Sequence, residues 1–418
     1  MENTTRRSQM GAATHPDPAA GARACEPANA GEGAGPVGPA GAEAGTDVHD
    51  PRARELGVPF DGEAGAWNAI TDVPGLETGF VTLCADDDPV VRTGVTVILP
   101  RGKDRAALPC AAGVAVLNGN GELTGRSWIE ESGQLQAPIA ITNSHAVGAV
   151  HRGIDHWMAE HHPEAARAWM LPVVGETWDG YLNSINADAV RPEHAAAALE
   201  AATGGPVPEG NVGGGTGMNC YGFKGGTGTA SRIAAAGGER WTVGVLLQAN
   251  FGSRRELRVA GRPLGPGSSA PSPLETSGWF ERESGTGAAL PPGAGSVIVV
   301  VATDAPLLPD QCRALARRVP LGLARTGTTG SHFSGDIFLA LSTANEGVLS
   351  SRMGPAQAGR ERLEHLAWGA VDPLFEAVVQ ATEEAVVNAL VAARDCEGRD
   401  GHRSYALPHH EIRAAFAG

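Results

Sequence analysis

Residues 293–304 read Gly-Ala-Gly-Ser-Val-Ile-Val-Val-Val-Ala-Thr-Asp, so a glycine-rich run leads through Ser296 into five consecutive β-branched residues. A run of this kind without polar alternation predicts a strand that is buried on both faces. The strand would hold Ser296 rigidly, while the preceding glycines can adopt almost any backbone geometry. This arrangement suits a peptide bond that is distorted and then cut between Gly295 and Ser296. The alternative is that residues 293–296, considered alone, are an ordinary loop that precedes a core strand.

A cut at this position would make Ser296 the N-terminal residue of a second chain. A serine hydroxyl is a weak nucleophile and needs activation by a base. An α-amine has a pKa of about 7.7–8.0, so a useful fraction is unprotonated at neutral pH. An N-terminal serine therefore carries nucleophile and base in one residue and does not need a histidine.

The composition restricts the classes of function. The chain has 418 residues, a net charge of −15 and 42% hydrophobic residues, which allows one large domain or two ordinary ones. An acidic chain is unsuited to nucleic acid and to anionic membrane surfaces, because both require a basic face. No apolar run approaches the ~20 residues of a transmembrane helix. The six cysteines form no Cys-x-x-Cys pair, which predicts reduced thiols and a cytoplasmic protein.

The chain divides into a tail and one continuous unit. Residues 1–55 are rich in Ala, Gly, Pro, Glu and Thr, which predicts a disordered tail. In residues 56–418, strands and helices interleave as in a single domain, and residues 253–292 are interpreted as a long surface linker that is functional or a processing site. The apolar patterns predict strands at 95–99, 114–117, 139–142, 242–248 and 337–341, and helices at 144–160, 192–203, 309–318 and 372–393.

Polar residues at the ends of predicted strands are candidates for a site. Ser334 and Asp336 are two residues apart at the entry to a strand, so they point to the same side of the pleat and could orient Ser296. Asn250 ends another strand, and its amide could stabilise an oxyanion, a contribution of about 2.7–4 kcal/mol. Each also has an ordinary explanation, because Ser-Gly-Asp is a common turn and Asn often caps turns.

Residues 211–232 form a dense glycine segment that invites comparison with phosphate-binding loops. Lys224 comes one position too late for the P-loop spacing G-x-x-x-x-G-K-[ST]. We therefore favour a structural role for Gly225 and Gly226, which would let backbone pass close to another strand or to a substrate, with Lys224 as a fixed charge. The histidines show no H-E-x-x-H and no metal-ligand spacing, so no metal is predicted.

Taken together, seven ordered blocks of this sequence resemble the P1 (DmpA-like) family of self-processing serine aminopeptidases. This family includes L-aminopeptidase/D-amidase/D-esterase and the β-peptidyl aminopeptidases. The resemblance covers roughly residues 66–412. The blocks that carry it are residues 117–125, 128–133, 173–180, 213–232, 248–252, 295–307 and 325–343.

The resemblance implies a fold and a set of site residues. The fold would be a mixed α/β (α+β) four-layer αββα sandwich of the N-terminal-nucleophile-like type shared with ornithine acetyltransferases. The precursor would cut itself before Ser296, with Ser334 and Asp336 as partners of the nucleophile. Asn250 would stabilise the oxyanion. Glu176 would bind the free amine of the substrate, for which a charge-assisted hydrogen bond to a carboxylate is well suited.

The same resemblance implies hydrolysis of short peptides, amides or esters through an acyl-enzyme on Ser296, without metal or organic cofactor, by a homo-oligomer of two-chain units. Two departures affect this expectation: Trp178 stands where some members carry Tyr, and the 253–295 segment is longer than usual. Two alternatives stay open. One is a glutamate/ornithine N-acetyltransferase of similar fold, which should carry a Thr nucleophile. The other is an uncut, non-enzymatic protein that binds a small molecule or nucleotide.

Overall fold

The structure is a computed structural model, and it describes residues 51–349, 351, 353 and 359–417. Most of the predicted disordered tail, residues 1–50, lies outside this part of the chain. The prediction is wrong for residues 51–55, which are ordered: Ala53 is buried, and Arg52 Nε lies 2.7 Å from Glu209 Oε2. The sequence pattern could not show this, because the anchoring partners are distant in the chain.

The strands of the described residues form two main sheets. One has four strands in the order β1-β2-β5-β6, and the other has six in the order β4-β3-β14-β13-β10-β9. The strands are β1 (Glu77–Ala85), β2 (Val91–Leu99), β3 (Cys110–Gly119), β4 (Gln134–Leu135), β5 (Ile139–Asn143), β6 (Val173–Thr177), β7 (Asn219–Cys220), β8 (Phe223–Lys224), β9 (Gly226–Ala236), β10 (Glu239–Asn250), β11 (Arg258–Val259), β12 (Arg262–Pro263), β13 (Gly295–Thr303), β14 (Ser334–Ser342), β15 (Cys396–Glu397) and β16 (Arg403–Ser404).

The helices pack on the outer faces of the two sheets. Helices α2 and α4 cover the four-stranded sheet, and α7, α8 and α9 cover the six-stranded sheet. The helices are α1 (Arg126–Ser132), α2 (Val147–His161), α3 (Pro163–Ala168), α4 (Pro192–Glu200), α5 (Pro273–Thr276), α6 (Trp279–Ser284), α7 (Pro309–Ala316), α8 (Val319–Arg325), α9 (Asp372–Ala392) and α10 (His409–Phe416). All predicted strands and helices are present, with ends that differ by a few residues.

Three hydrophobic cores separate four layers, so the expected αββα sandwich is confirmed. The first core lies between α2, α4 and the four-stranded sheet. The second lies between the two sheets, where Ile141 of β5 and Ile298 of β13 belong to one buried cluster. The third lies between the six-stranded sheet and α7, α8 and α9.

The central strand β13 is buried on both faces, as its unbroken apolar run predicts. Val297, Val299 and Val301 belong to the core under the helices. Ile298 and Val300 belong to the core between the sheets. Because successive side chains of a strand point to opposite faces, a strand inside a sandwich needs apolar residues at every position.

The prediction of a structureless linker at residues 253–292 is wrong. This segment contains α5, α6 and the β11–β12 ladder. Leu257, Val259 and Trp279 are buried in it. Its apolar residues are spaced too irregularly to show a period, but Leu257 and Val259 join the core under the helices and Trp279 packs with Tyr181 and Leu182.

The cysteines are not all reduced. Cys110, Cys220, Cys312 and Cys396 are free thiols, whereas Cys84 is disulfide-bonded. The prediction of reduced thiols is therefore wrong at Cys84, because disulfide pairing depends on distances in the fold and not on sequence spacing. Among the helices of the described residues, none is long and apolar enough to cross a membrane.

Candidate active site

Ser296 lies near the start of β13, between two neighbouring strands. The strand register places it opposite Asn250 of β10 on one side and opposite Gly335 of β14 on the other. Gly335 N donates a hydrogen bond to Ser296 Oγ at 3.2 Å, and the serine is 5% exposed. A Cβ on Gly295 would lie 1.9 Å from Asn250 O, so only glycine fits before Ser296. The hydroxyl is therefore fixed beside a peptide bond that has no room for a side chain.

Ser334 and Asp336 form a hydrogen-bonded pair at the start of β14. Ser334 Oγ donates to Asp336 Oδ1 at 2.5 Å, and Asn118 Nδ2 donates to Asp336 Oδ2 at 2.8 Å. Burial raises the pKa of the Asp336 carboxyl above its ordinary value, and the hydrogen bonds from Ser334 and Asn118 oppose this rise. A register shift between Asp336 and Ile337 interrupts the pairing with β3 at this point. The structure thus brings both predicted residues to the strand next to Ser296.

Asn250 is held at both ends of its side-chain amide. Its Nδ2 donates to Trp178 O at 2.8 Å, and its Oδ1 accepts from Asn219 N at 2.8 Å. Only the nitrogen can donate and only the oxygen can accept, so these two partners determine the orientation of the amide. One N–H of Nδ2 is left for a further acceptor, and the residue is 4% exposed.

Glu176 belongs to β6, so it reaches the site from the other sheet. Its Oε1 accepts from Glu122 N at 2.9 Å, and its Oε2 accepts from Ser144 Oγ. The residue is 6% exposed, and burial raises the pKa of its carboxyl, opposed by these two hydrogen bonds. An ionised carboxylate has about four acceptor positions, so it can still bind a cationic ligand.

Gly121 lies between Glu176 and Gly335 of β14. A Cβ on Gly121 would lie 3.1 Å from Glu176 Oε1 and 3.0 Å from Gly335 Cα. Gly335 N is hydrogen-bonded to Ser296 Oγ, so Gly121 separates the Glu176 carboxylate from the residue that binds the Ser296 hydroxyl. The two sheets therefore meet at a position that carries no side chain.

Trp178 presents an aromatic surface next to these residues. Its ring stacks on Trp279 with centroids 6.1 Å apart and planes inclined by 17°. Trp178 is 37% exposed and Trp279 is 3% exposed. Trp279 is anchored because its Nε1 donates to Leu274 O at 3.0 Å and its ring packs against Tyr181. The segment predicted to be a linker thus supports one face of Trp178 and leaves its other surface accessible.

Lys224, Gly225 and Gly226 do not form a phosphate site. Lys224 is fully buried, and its Nζ donates to the carbonyls of Gly215, Met218 and Gly225 at 3.3, 2.8 and 2.8 Å. These bonds use all three donors of the ammonium. The two glycines allow close backbone approaches, as expected, since a Cβ on either would lie within 2.4 Å of a carbonyl oxygen.

Some residues of the site were not singled out from the sequence. Asn118, Gly121 and Glu122 lie in a block that showed the family resemblance but suggested no individual role. Ser144 and Trp279 gave no signal at all, because their contacts depend on elements far apart in the chain.

With this geometry in hand, comparison with known proteins establishes the family. Residues 68–404 match peptidase family S58. The chain is 49% identical over 370 residues to the β-peptidyl aminopeptidase BapA of Sphingosinicella microcystinivorans, a match that covers 87% of this chain and 91% of the relative. It is 45% identical to BapA of Sphingosinicella xenopeptidilytica, with 87% and 90% covered. The chain therefore belongs to peptidase family S58.

Solved structures agree with this assignment. The L-aminopeptidase D-Ala-esterase/amidase of Ochrobactrum anthropi, a serine aminopeptidase with a variant of the N-terminal-nucleophile hydrolase fold, superposes with a TM-score of 0.79 at 42% identity, covering 88% of this chain and 98% of the other. A Burkholderia sp. β-aminopeptidase superposes with a TM-score of 0.78 at 46% identity, covering 88% and 98%. The expected aminopeptidase class and fold are confirmed, and the acetyltransferase and nucleotide-binding alternatives are not favoured.

Replacing Gly121 by alanine should impair hydrolysis. The added methyl group must shift the Glu176 carboxylate or the Gly335 backbone by a few tenths of an ångström. Because a misplacement of about 1 Å at a reacting centre can cost about 100-fold, we expect this smaller shift to lower kcat/KM by about 10-fold or less. Steady-state rates on an alanine or β-alanine p-nitroanilide measure the effect. Gly119→Ala is the matched control, because a Cβ there meets nothing within 4 Å. Equal rates for the two variants would contradict this account of Gly121.

Proposed function

We propose that this aminopeptidase is made as a precursor that cuts itself between Gly295 and Ser296, and that Ser296 is its nucleophile. The observation that carries the proposal is the position of Ser296: its hydroxyl is held by Gly335 N beside a peptide bond whose Gly295 has no space for a side chain. Residues 1–295 and 296–418 would then be two chains of one domain.

The proposed cut proceeds through an ester. Ser296 Oγ attacks the carbonyl carbon of Gly295, a C–O bond forms, the C–N bond breaks, and the hydroxyl proton passes to the released α-amine. Water then hydrolyses the ester, leaving a carboxylate on Gly295 and a free amine on Ser296. That amine lies on the strand next to the Ser334–Asp336 pair, whose acceptor oxygens can orient it.

The mature site would hydrolyse substrates through the same atoms. The α-amine of Ser296 acts as general base for its own hydroxyl, which attacks the substrate carbonyl and releases the amine, alcohol or shortened peptide. The unused N–H of Asn250 Nδ2 donates to the oxyanion. Water then hydrolyses the acyl-enzyme. Glu176 binds the free ammonium of the substrate, which restricts hydrolysis to the N-terminal residue.

The substrates we propose are short peptides, amides and esters with a free N-terminal amine. The similarity to two β-peptidyl aminopeptidases supports N-terminal β-amino acids among them. The similarity to an L-aminopeptidase supports L-α-amino acids. The accessible surface of Trp178 would pack against the side chain of the N-terminal residue, since Trp178 follows Glu176 by two positions and its carbonyl is bound by Asn250.

We also propose that the mature protein is a cytoplasmic homo-oligomer of two-chain units. The oligomer is supported only by the family resemblance. The four free cysteines support the cytoplasm, and the disulfide at Cys84 counts against it, because such bonds are rare there. Light scattering and cell fractionation decide these two points.

Self-cleavage is tested by intact mass spectrometry. The wild type should give two chains that meet at Gly295 and Ser296, and Ser296→Ala should give one intact chain, because alanine has no oxygen to attack the carbonyl. Ser284→Ala is the matched control: it lies in the same region but on α6, and it should be cut like the wild type. Cleavage of Ser296→Ala, or an intact wild type, would contradict the proposal.

The acid limb of the pH profile should report Glu176. Ammonium binding needs the ionised carboxylate, and burial raises the pKa of Glu176. As the pH is lowered, kcat/KM should therefore begin to fall at a pH that is still above the ordinary pKa of a glutamate. Glu176→Gln should lower kcat/KM by about 10- to 100-fold and remove this limb, since hydrogen bonds to charged groups contribute about 1.5–3 kcal/mol. Glu122→Gln keeps its backbone hydrogen bond to Glu176, so it should retain the rate and the limb, with the limb moved to lower pH because the Glu122 charge raises the pKa of Glu176. An unchanged profile in Glu176→Gln would refute this role.

Trp178→Ala should change selectivity rather than abolish hydrolysis. Loss of the indole removes apolar contact with large N-terminal side chains, so the ratio of kcat/KM for phenylalanine over alanine p-nitroanilide should fall about 10-fold. Trp368→Ala removes an indole that is 52% exposed and outside the site, and it should leave the ratio unchanged. An identical ratio in both variants would show that Trp178 does not contact the substrate.

A further inference from the structure

Lys224 is a buried cation that the reaction described above does not use. It lies in the β7–β8 hairpin opposite Asn219, with no exposed surface, and its three donors all go to backbone carbonyls. Burial lowers the pKa of its ammonium to about 8, so the charged form predominates at neutral pH. A buried charge without a hydrogen-bonded carboxylate is costly, and an apolar residue of similar size would be less so. This cost favours a role other than stability.

The ammonium is connected to Asn250 through a single peptide group. Lys224 Nζ donates to Met218 O at 2.8 Å. The N–H of the same peptide group is that of Asn219, and it donates to Asn250 Oδ1 at 2.8 Å. Asn250 Nδ2 then donates to Trp178 O, and the strand register puts Asn250 opposite Ser296. Two amide groups in sequence thus join the cation to the strand pair that holds the nucleophile.

Each link in this chain is polarised in the same direction. A cation at a carbonyl oxygen withdraws electron density from the peptide group and makes its N–H a stronger donor. A stronger donor at Asn250 Oδ1 in turn withdraws density from Nδ2 and strengthens both of its N–H groups as donors. The effect is larger in a buried environment, where charge–dipole interactions are weakly screened.

We propose that Lys224 is a positioning residue that acts through the Met218–Asn219 peptide to orient and polarise the Asn250 amide, and so strengthens the hydrogen bond to the oxyanion. This inference rests on the proposed role of Asn250 as oxyanion donor. Lys224 itself touches neither substrate nor nucleophile. Its influence falls on the chemical steps and not on substrate binding, because the oxyanion forms only in the tetrahedral intermediates and the transition states around them.

A double-mutant cycle tests the proposal. Asn250→Ala, Lys224→Met and the double variant are purified, checked for self-cleavage and thermal unfolding, and assayed on whichever of alanine or β-alanine p-nitroanilide the wild type hydrolyses. We expect Asn250→Ala to lower kcat about 10²- to 10³-fold. Lys224→Met should lower kcat about 10-fold with KM changed less than about twofold. The double variant should be no slower than Asn250→Ala, because the cation then has no amide to polarise.

Lys224→Gln separates the effect of the charge from that of the hydrogen bond to Met218 O. If Lys224→Met does not fold, Lys224→Gln takes its place in the cycle. Its amide can still donate to Met218 O but carries no charge, so its kcat should lie between those of the wild type and Lys224→Met. Arg254→Met is the matched control, since it removes a buried cation that donates to Tyr221 O and Gly222 O of the same hairpin at 3.2 and 2.6 Å. The loss of kcat in Arg254→Met should multiply with the loss in Asn250→Ala when the two substitutions are combined.

The outcomes separate the inference from the function on which it rests. The proposed effect of Lys224 on Asn250 through the Met218–Asn219 peptide is called the relay below. If the losses of kcat in Lys224→Met and Asn250→Ala multiply in the double variant, or if Lys224→Met raises KM at unchanged kcat, the relay is overturned while Asn250 keeps its role. An Asn250→Ala variant with wild-type kcat would overturn both the oxyanion assignment and the relay. The relay is supported if the losses of kcat for Lys224→Met and Asn250→Ala do not multiply while those for Arg254→Met and Asn250→Ala do. A purely structural contribution of Lys224 would not depend on Asn250.

Discussion

The register of β13 between β10 and β14 is the constraint on which the site depends. It puts Ser296 opposite Asn250 and Gly335, and a slip of one residue would turn the serine and every valine after it to the other face. Such a slip is prevented because β13 is buried on both faces and its larger Ile298 faces the other sheet. A Cβ on Gly175 of β6 would lie 2.9 Å from Ile298 Cγ2, so the two sheets are in contact directly below the site. The core and the active site are therefore set by the same packing.

Two carboxyl groups near this register are buried, and each accepts hydrogen bonds from two donors. The Asp336 carboxylate accepts hydrogen bonds from Ser334 and Asn118, and the Glu176 carboxylate accepts from Ser144 and the Glu122 backbone. Burial nevertheless raises the pKa of both carboxyls. Perturbed pKa values of this kind are typical of functional sites.

The segment between β10 and β13 has a structural role of its own, apart from the proposed cut at its end. Its helix α6 places Trp279 in a hollow beside Tyr181, where it supports Trp178 from behind. Glu283 at the end of this helix pairs with Arg399 at 2.7 Å and His402 at 2.9 Å, which fastens the segment to the C-terminal part of the chain. These anchors lie before residue 285, so a cut at Gly295 leaves them intact.

Local residue patterns are enough to predict the buried central strand, the interleaved strands and helices, and the position of a glycine directly before Ser296. The family resemblance added the four-layer fold, and the candidates Ser334, Asp336, Asn250 and Glu176 all lie around Ser296 in the structure. The groups around these candidates become visible only in the folded chain: Gly121 lies between the sheets, Trp279 lies behind Trp178, and the buried ammonium of Lys224 lies behind Asn250. Some of these contacts join residues that are tens to hundreds of positions apart in the chain. The contact of Lys224 depends on the path of the β7–β8 hairpin. No local pattern encodes such distances, since they result from how the two sheets pack.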